Sequence, residues 1–339
     1  MGMLSLWRRH DPLPDVADWP SWDYADYLWF FLSREGTRRR LRGSSAPLDV
    51  LDTPEKLWDF CAPIRERIRA TFDTDAPRVS ITLVAYNEER QLIPTLLSYT
   101  RLECPPGLAE LVVVDNNSTD RTKDIIEACG ARYVLCEEQG TPFARAAGLA
   151  AAYDEAEYLW MSDADVRVVP PLTTKEDLAR KGTVFRTAYE FMEAHPQTVG
   201  VSTGAVIEAA HWSYHLVHET AVALKHTAKY SCWSGSNQFV RKWALEASGG
   251  IDTSVLFGED QHRHFQLARW AKAHDKHLHS ANMDEEALGD PVYYSGRRYA
   301  TLGRVAWHVW ETLTRNYVAR GDHWSDTVHK ENLEWQHIR

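Results

Sequence analysis

Short apolar runs alternate with amphipathic stretches through the middle of this chain. "RVSITLVAY" from Arg78, "AELVVVD" from Ala109, "ARYVLCE" from Ala131 and "EYLWMSD" from Glu157 are β-rich. Between them lie the helix-like segments "ERQLIPTLLSYTRL", "STDRTKDIIEACG" and "TPFARAAGLAAAYDEA". In the second of these, Ser118 or Thr119 is expected to start the helix and Gly130 to end it. Strand alternating with helix at this pitch predicts an α/β fold with a parallel, doubly wound sheet over 78–170. The first 76 residues have a different texture. In "TPEKLWDFCAPIRERIRATF" a Thr53 cap precedes Leu57, Phe60, Cys61 and Ile64 on one helical face, so residues 1–76 read as a helical extension.

In such sheets ligands sit beyond the carboxyl ends of the strands. Asn87-Glu88, Asp115-Asn116-Asn117-Ser118 and Asp163-Ala164-Asp165 all fall at those ends, so one crevice should collect them. A second D-x-D pair, Asp73 and Asp75, precedes the first strand, and topology separates it from the crevice where spacing alone does not. Two carboxylates two residues apart can hold Mg²⁺ or Mn²⁺ while leaving room for phosphate and water. The same pair can also cap the next turn. Spacing leaves both open.

Composition narrows the class. The 339 residues suit one large domain or two modest ones, and 44% hydrophobic with 25% charged residues is ordinary for a globular protein. A net charge of −10 disfavours a nucleic-acid partner, which needs a basic face to replace counterions. Five cysteines without C-x-x-C spacing read as reduced thiols of a cytoplasmic protein, not as a disulfide frame or zinc site. The start "MGMLSLWRRHDPLP" lacks a signal-peptide core, and "YLWFFL" at Tyr27–Leu32 is too short to span a bilayer. Since "REGTRRRLRG" follows it, a buried helix with a solvated basic end is expected; the order also suits peripheral membrane contact. Many of the 14 tryptophans lie in the first 60 and last 35 residues, which suits aromatics that staple terminal helices to the body or an acceptor platform, the stapling being expected.

Three segments together, "VSITLVAYNEERQLIPTLLS", "LVVVDNNSTDRTKDI" and "LWMSDADV", resemble the nucleotide-binding half of family 2 glycosyltransferases. Further on, "SGSNQFVRKWALEASGGID" is similar to that family's small-residue loop and G-G-[FI]-D turn. "FGEDQHRHFQLARWAKAH" is similar to its E-D helix. The resemblance spans about 78–305. It implies a GT-A fold, Rossmann-like and doubly wound, with helical N- and C-terminal extensions. The implied division is a nucleotide-sugar-binding half over 77–170, an acceptor-binding and catalytic half over 171–305, and a helical tail over 306–339.

The roles implied by the resemblance follow residue by residue. Tyr86 and Asp115 would hold the base, with Ala85 at the strand end and Glu88 close by. Arg145 matches an arginine that reaches the nucleotide. Asp163 would meet the ribose or the metal, and Asp165 would ligate the metal, Mn²⁺ or Mg²⁺. Asp260 matches the general base that deprotonates an acceptor hydroxyl, with Glu259 the second candidate. Arg297 and Arg298, in "PVYYSGRRYATLGRVAWHVW", would clamp the diphosphate. Among His277, His279, His308 and His323, His308 is the expected late metal ligand. The activity implied is inverting transfer of one sugar from a nucleotide-diphosphate donor, UDP favoured, to a hydroxyl acceptor such as a sugar or lipid-linked sugar. Residues 170–230 are expected to shape the acceptor site.

Two departures from the family pattern stand out. Asn116 replaces the second acid of V-D-D, removing a charge near the base or ribose. "QLARW" at Gln266–Trp270 has the spacing of a processive-synthase motif, but it lies within one helix of the E-D pair, too close for that role. Two other functions fit less of the chain. A nucleotidyltransferase would carry a Gly-rich basic loop where Tyr86-Asn87-Glu88 stands. A non-catalytic sugar-nucleotide-binding module would have no use for Asp163, Asp165 and Asp260 together.

Overall fold

The computed structural model describes residues 12–41, 47–208, 212–213, 237–256, 258–280, 289–296 and 301–306. Its main sheet has seven strands in the order β3-β2-β1-β4-β8-β6-β9. These are β1 (Val79–Ala85), β2 (Ala109–Asp115), β3 (Arg132–Leu135), β4 (Tyr158–Asp163), β6 (Thr198–Ser202), β8 (Asn237–Arg241) and β9 (His277–Ser280). Neighbours β3, β2, β1 and β4 run parallel, as do β6 and β9, while β8 is antiparallel to both β4 and β6. The expected α/β architecture with a mostly parallel sheet is therefore what the chain adopts. A second sheet, β5 (Val166–Arg167), β10 (Val292–Ser295) and β7 (Ala205–Glu208), flanks it.

Side-chain alternation along β4 divides the core. Tyr158 and Trp160 join the large cluster on one face, and Leu159 and Met161 join a smaller cluster on the other. On the second face lie α7 (Thr141–Ala151) and α10 (Glu259–Ala273), with α9 (Lys242–Ala247) beside them. Helix α7 can approach β1 because Gly148 lies over Thr82; a Cβ there would sit 3.2 Å from the Thr82 Cβ. The first face is covered by α5 (Leu92–Tyr99), α6 (Thr122–Cys129), α8 (Val184–Ala194) and the N-terminal helices.

Those N-terminal helices are α1 (Tyr24–Leu32), α2 (Arg34–Leu41), α3 (Pro54–Phe60) and α4 (Ala62–Phe72). Thr53 caps α3 as expected, accepting from Lys56 N at 3.3 Å. The expected single helix breaks at Cys61, because Pro63 sits in the first turn of α4 and can supply no backbone donor there. Leu57, Phe60, Cys61 and Ile64 are all buried. The "YLWFFL" run is buried along its whole length, so it serves the core. Phe60 gathers Trp19, Trp22, Tyr27 and Phe31 around it at centroid distances of 5.0–6.0 Å. Each large side chain so buried contributes about 2 kcal/mol. The stapling expected of the tryptophans holds for Trp19, Trp22 and Trp29; the C-terminal ones from Trp307 onward lie outside the described residues. No helix among the described residues is long and apolar enough to cross a membrane.

Candidate functional site

The carboxyl ends of β2, β1 and β4 are held level. Ala85 pairs with Asp115, and Val84 with Asp163. Past the strand ends, Asn116 N donates to Ala85 O at 2.8 Å and Ala164 N to Val84 O at 3.0 Å. Two strand spacings separate Asp115 from Asp163, about 10 Å. Asp73 and Asp75 fall before β1, at the opposite end of the strands.

At the β1–β2 end, two loops are tied by short hydrogen bonds. Asn87 N donates to Ser118 Oγ at 2.9 Å, and Thr119 N donates to Asn87 Oδ1 at 2.9 Å. Glu88 N donates to Thr122 Oγ1 at 2.8 Å, and Glu89 N to Asp120 Oδ2 at 3.1 Å. These bonds occupy the residues expected to start the following helix. Helix α6 begins only at Thr122, where Asp120 Oδ1 accepts from the Thr122 N–H at 2.9 Å, and Ser118 and Thr119 serve the loop instead. Gly130 ends α6 in the left-handed conformation, as expected. Tyr86 stands half-buried directly after β1, and Asp115 is buried at the end of β2. The Asp115 carboxylate accepts from Ser118 N at 3.0 Å and from the Tyr133 hydroxyl at 3.3 Å.

Asn116 has a job that an aspartate could not do. Its Nδ2 donates to Glu138 O at 2.6 Å, while its Oδ1 accepts from Gly140 N at 2.7 Å. Gly140 is the residue before α7, so this amide fixes the start of the helix that carries Arg145. A carboxylate would accept from Gly140 but repel the Glu138 carbonyl.

Arg145 is the junction of the crevice. It is 2% exposed; its Nη2 meets Asp163 Oδ1 at 2.8 Å and its Nε meets Glu259 Oε1 at 3.4 Å. Burial opposes its charge, but Asp163, Glu259 and Asp260 together outweigh that and raise its pKa. It thus links the D-x-D turn to the E-D pair, which opens α10 behind Gly258. Along α10, Glu259, Arg263, Leu267 and Ala271 recur at four-residue spacing, and the last two lie in the core against the sheet. The same stripe therefore carries Arg263 inward. Arg263 is buried and donates from Nε to Gln238 Oε1 at 2.7 Å. Burial first, then the Arg145 charge, push its pKa down to about 10, against the pull of Glu259, Asp260 and Asp163.

Asp165 follows in the turn between β4 and β5, and its backbone oxygen accepts from Ser295 N at 3.3 Å. Asp163 and Asp165 suit a divalent cation that takes one or two carboxylates and fills its shell with phosphate and water. No third His, Cys, Asp or Glu joins them closely enough to complete a protein cage among the described residues. His277 and His279 lie on β9, three strand spacings from β4, about 14 Å. Arg297, Arg298 and His308 lie outside the described residues.

The G-G turn and the "QLARW" segment explain each other. Gln266 Nε2 donates to Ser248 O at 2.6 Å, and a Cβ on Gly249 (φ +114°) would lie 2.4 Å from that nitrogen. Trp270 packs edge-on against Trp243 at 5.6 Å. Gln266 and Trp270 serve packing, which agrees with setting the processive motif aside. Arg263 also bonds Gln238, and Tyr133 bonds Asp115, though no motif in the sequence marks these three. For Arg263 a signal existed: a cation stands on the helical stripe whose later members, Leu267 and Ala271, are apolar.

Residues 80–176 match the sequence model of Glycosyl transferase family 2. A curated relative, "Probable glycosyltransferase YdaM" of Bacillus subtilis (strain 168), is 37% identical over 59 residues, 17% of this chain and 14% of its own length. The chain thus spans only about a seventh of that relative, 14%. The mannosyltransferase PcManGT from Pyrobaculum calidifontis, solved with GDP-Man and Mn²⁺, is 18% identical with a TM-score of 0.49, covering 87% of this chain and 74% of its own. Glucosyl-3-phosphoglycerate synthase from Mycobacterium tuberculosis, solved with Mn²⁺, UDP-Glc and phosphoglyceric acid, is 19% identical with a TM-score of 0.43, covering 75% and 82%. The matched region, 80–176, is similar to glycosyl transferase family 2 and holds Tyr86, Asp115, Arg145, Asp163 and Asp165.

Proposed function

We propose that this chain is an inverting glycosyltransferase that moves one sugar from a nucleotide-diphosphate donor, UDP favoured, to a hydroxyl acceptor. The observation that carries this reading is Arg145. One buried guanidinium joins Asp163, inside the family 2 region, to Glu259 on the E-D helix outside it. The two halves of the chain thereby share one charged crevice at the carboxyl ends of the strands.

In this reading Tyr86 packs on the base and Asp115 accepts from its edge. Arg145 faces the phosphates, exchanging Asp163 for them. Asp260, in the first turn of α10, takes the proton of the acceptor hydroxyl as the oxygen attacks the anomeric carbon opposite the diphosphate. A base so placed contributes about 10²–10⁴-fold. Asp165 and Asp163 would hold Mn²⁺ or Mg²⁺, whose charge stabilises the departing diphosphate. The helix dipole favours carboxylates in the first turn of α10, where Glu259 and Asp260 stand.

A thermal-shift panel of UDP-, GDP- and dTDP-sugars with and without Mn²⁺ tests the donor. A true donor stabilises the folded state by mass action, and the UDP-sugar should shift Tm most, with Mn²⁺ enlarging the shift. Paired with it, Asp260→Asn should keep the donor shift and lose transfer. If no nucleotide-sugar shifts Tm, the donor reading fails; if Asp260→Asn still transfers, the base lies elsewhere.

A further inference from the structure

Beneath the carboxylates of the crevice lies a group of N–H donors without acceptors. Gln238 on β8 pairs in register with Met161 of β4, so it shares the sheet face of Asp163 and of the two helices that bring Arg145 and Arg263. All three side chains are buried, at 0% exposure for Gln238, 2% for Arg145 and 3% for Arg263. Arg263 Nε can only donate, so its 2.7 Å bond fixes the Gln238 oxygen toward it and commits the amide nitrogen to donating elsewhere. Four buried nitrogens then hydrogen-bond to nothing among the described residues: Arg263 Nη1 and Nη2, Gln238 Nε2 and Arg145 Nη1.

Buried donors of this kind are costly, and more so when charged. The nearby carboxylates do not relieve them by hydrogen bonds: Glu259 and Asp163 are engaged by Arg145, and Arg263 donates from Nε to a neutral oxygen. Two like-charged guanidiniums and an amide, all donating, form a nest for an oxyanion. A phosphoryl group, with several oxygens for forked guanidinium donors, fits that chemistry better than a neutral ligand. The amino end of α10 adds its favourable dipole.

We propose that Arg263, Gln238 and Arg145 form a phosphoryl-binding hole beneath the Asp163–Glu259 pair, with Arg263 as its principal cation. The 3.4 Å contact of Arg145 with Glu259 is longer than its 2.8 Å contact with Asp163, and its parting admits the anion. The phosphoryl group comes either from the donor diphosphate or from a phosphorylated acceptor. Only this choice of source rests on the glycosyl-transfer reading; anion binding does not.

Isothermal titration of the full chain with inorganic diphosphate and inorganic phosphate, Mg²⁺ present, tests the hole without any transfer assay. Arg263→Gln should weaken diphosphate binding by at least about tenfold while leaving uridine binding unchanged. Gln238→Glu should place an internal carboxylate against Arg263, raising Tm and abolishing anion binding together; a merely structural Arg263 would give the Tm rise alone. Saturating UDP should then assign the source. Loss of phosphate binding under UDP places the donor diphosphate in the hole, and its persistence places an acceptor phosphate there. The proposal is overturned if the wild-type chain binds neither anion, or if Arg263→Gln and Gln238→Glu both bind them as tightly as the wild type.

Discussion

At the β1–β2 end of the crevice, backbone amides and uncharged side chains do most of the binding: Asn87 with Ser118 and Thr119, Glu88 N with Thr122, Asn116 with Glu138 and Gly140. At the β4–α10 end, Arg145, Asp163, Glu259, Asp260 and Arg263 crowd together, and part of their charge is balanced only through space. The first end is already tied together by hydrogen bonds before any ligand arrives. The second holds charges that a ligand would rearrange. Preorganisation therefore sits where a base would be recognised, and adaptable charge sits where phosphate would be handled and chemistry done.

The largest effect should come from the charged end. Asp165→Asn should lower transfer by at least about 10²-fold, since a cation at a diphosphate is worth several kcal/mol, and should remove the Mn²⁺-dependent part of the donor thermal shift. Unchanged kinetics and an unchanged Mn²⁺ response would take the metal away from this pair. Removing the junction comes next. Arg145→Gln leaves Asp163 and Glu259 facing each other without their cation, and should cost about 3 kcal/mol in urea unfolding. If the crevice already tolerated that repulsion, stability would hardly move, and the contrast between the two ends would weaken.

Much of this contrast was legible in the sequence, and the exceptions are instructive. Apolar runs ending in Tyr86-Asn87, Asp115-Asn116 and Asp163-Ala164-Asp165 place the strand ends, because strand periodicity and the parallel alternation are local signals. That α7 would carry Arg145 onto Asp163 follows only from tertiary packing, through Gly148 against Thr82. The helix boundary at Thr122 shifted for a similar reason: Ser118 and Thr119 are good caps locally, but a loop 31 or 32 residues earlier in sequence claims them. Arg263 was hidden by its own chemistry, since an arginine in a helix reads as solvated until the stripe it shares with Leu267 is turned toward the sheet.

One group beside the charged end responds to pH through burial. The His264 pKa is pushed down from 6.5 to about 4 by burial, so the folded state keeps it neutral while the unfolded chain protonates it. Its contribution to stability is complete above about pH 6.5 and is lost as pH falls toward 4, up to about 3 kcal/mol. Urea midpoints between pH 7 and 4 should fall, and His264→Gln should flatten that slope. An equal slope in the variant would assign the acid sensitivity to the carboxylates of the crevice.

The smallest effect probes the finished end. Asn116→Asp restores the acid that the family pattern carries but sets a carboxylate against Glu138 O, now 2.6 Å from an amide nitrogen. Losing that donor should cost about 1–2 kcal/mol in urea unfolding. Because the same amide fixes Gly140 at the start of α7, the damage should reach Arg145, and donor affinity should weaken several-fold without loss of the Mn²⁺ response. If affinity instead rises, the missing charge at 116 is a determinant of the base or ribose pocket, and the neutral build of this end is a specificity device more than a brace. Asn116→Ser, which removes the long amide without adding charge, separates the two: it should match the aspartate variant in stability loss only if bracing is the main role.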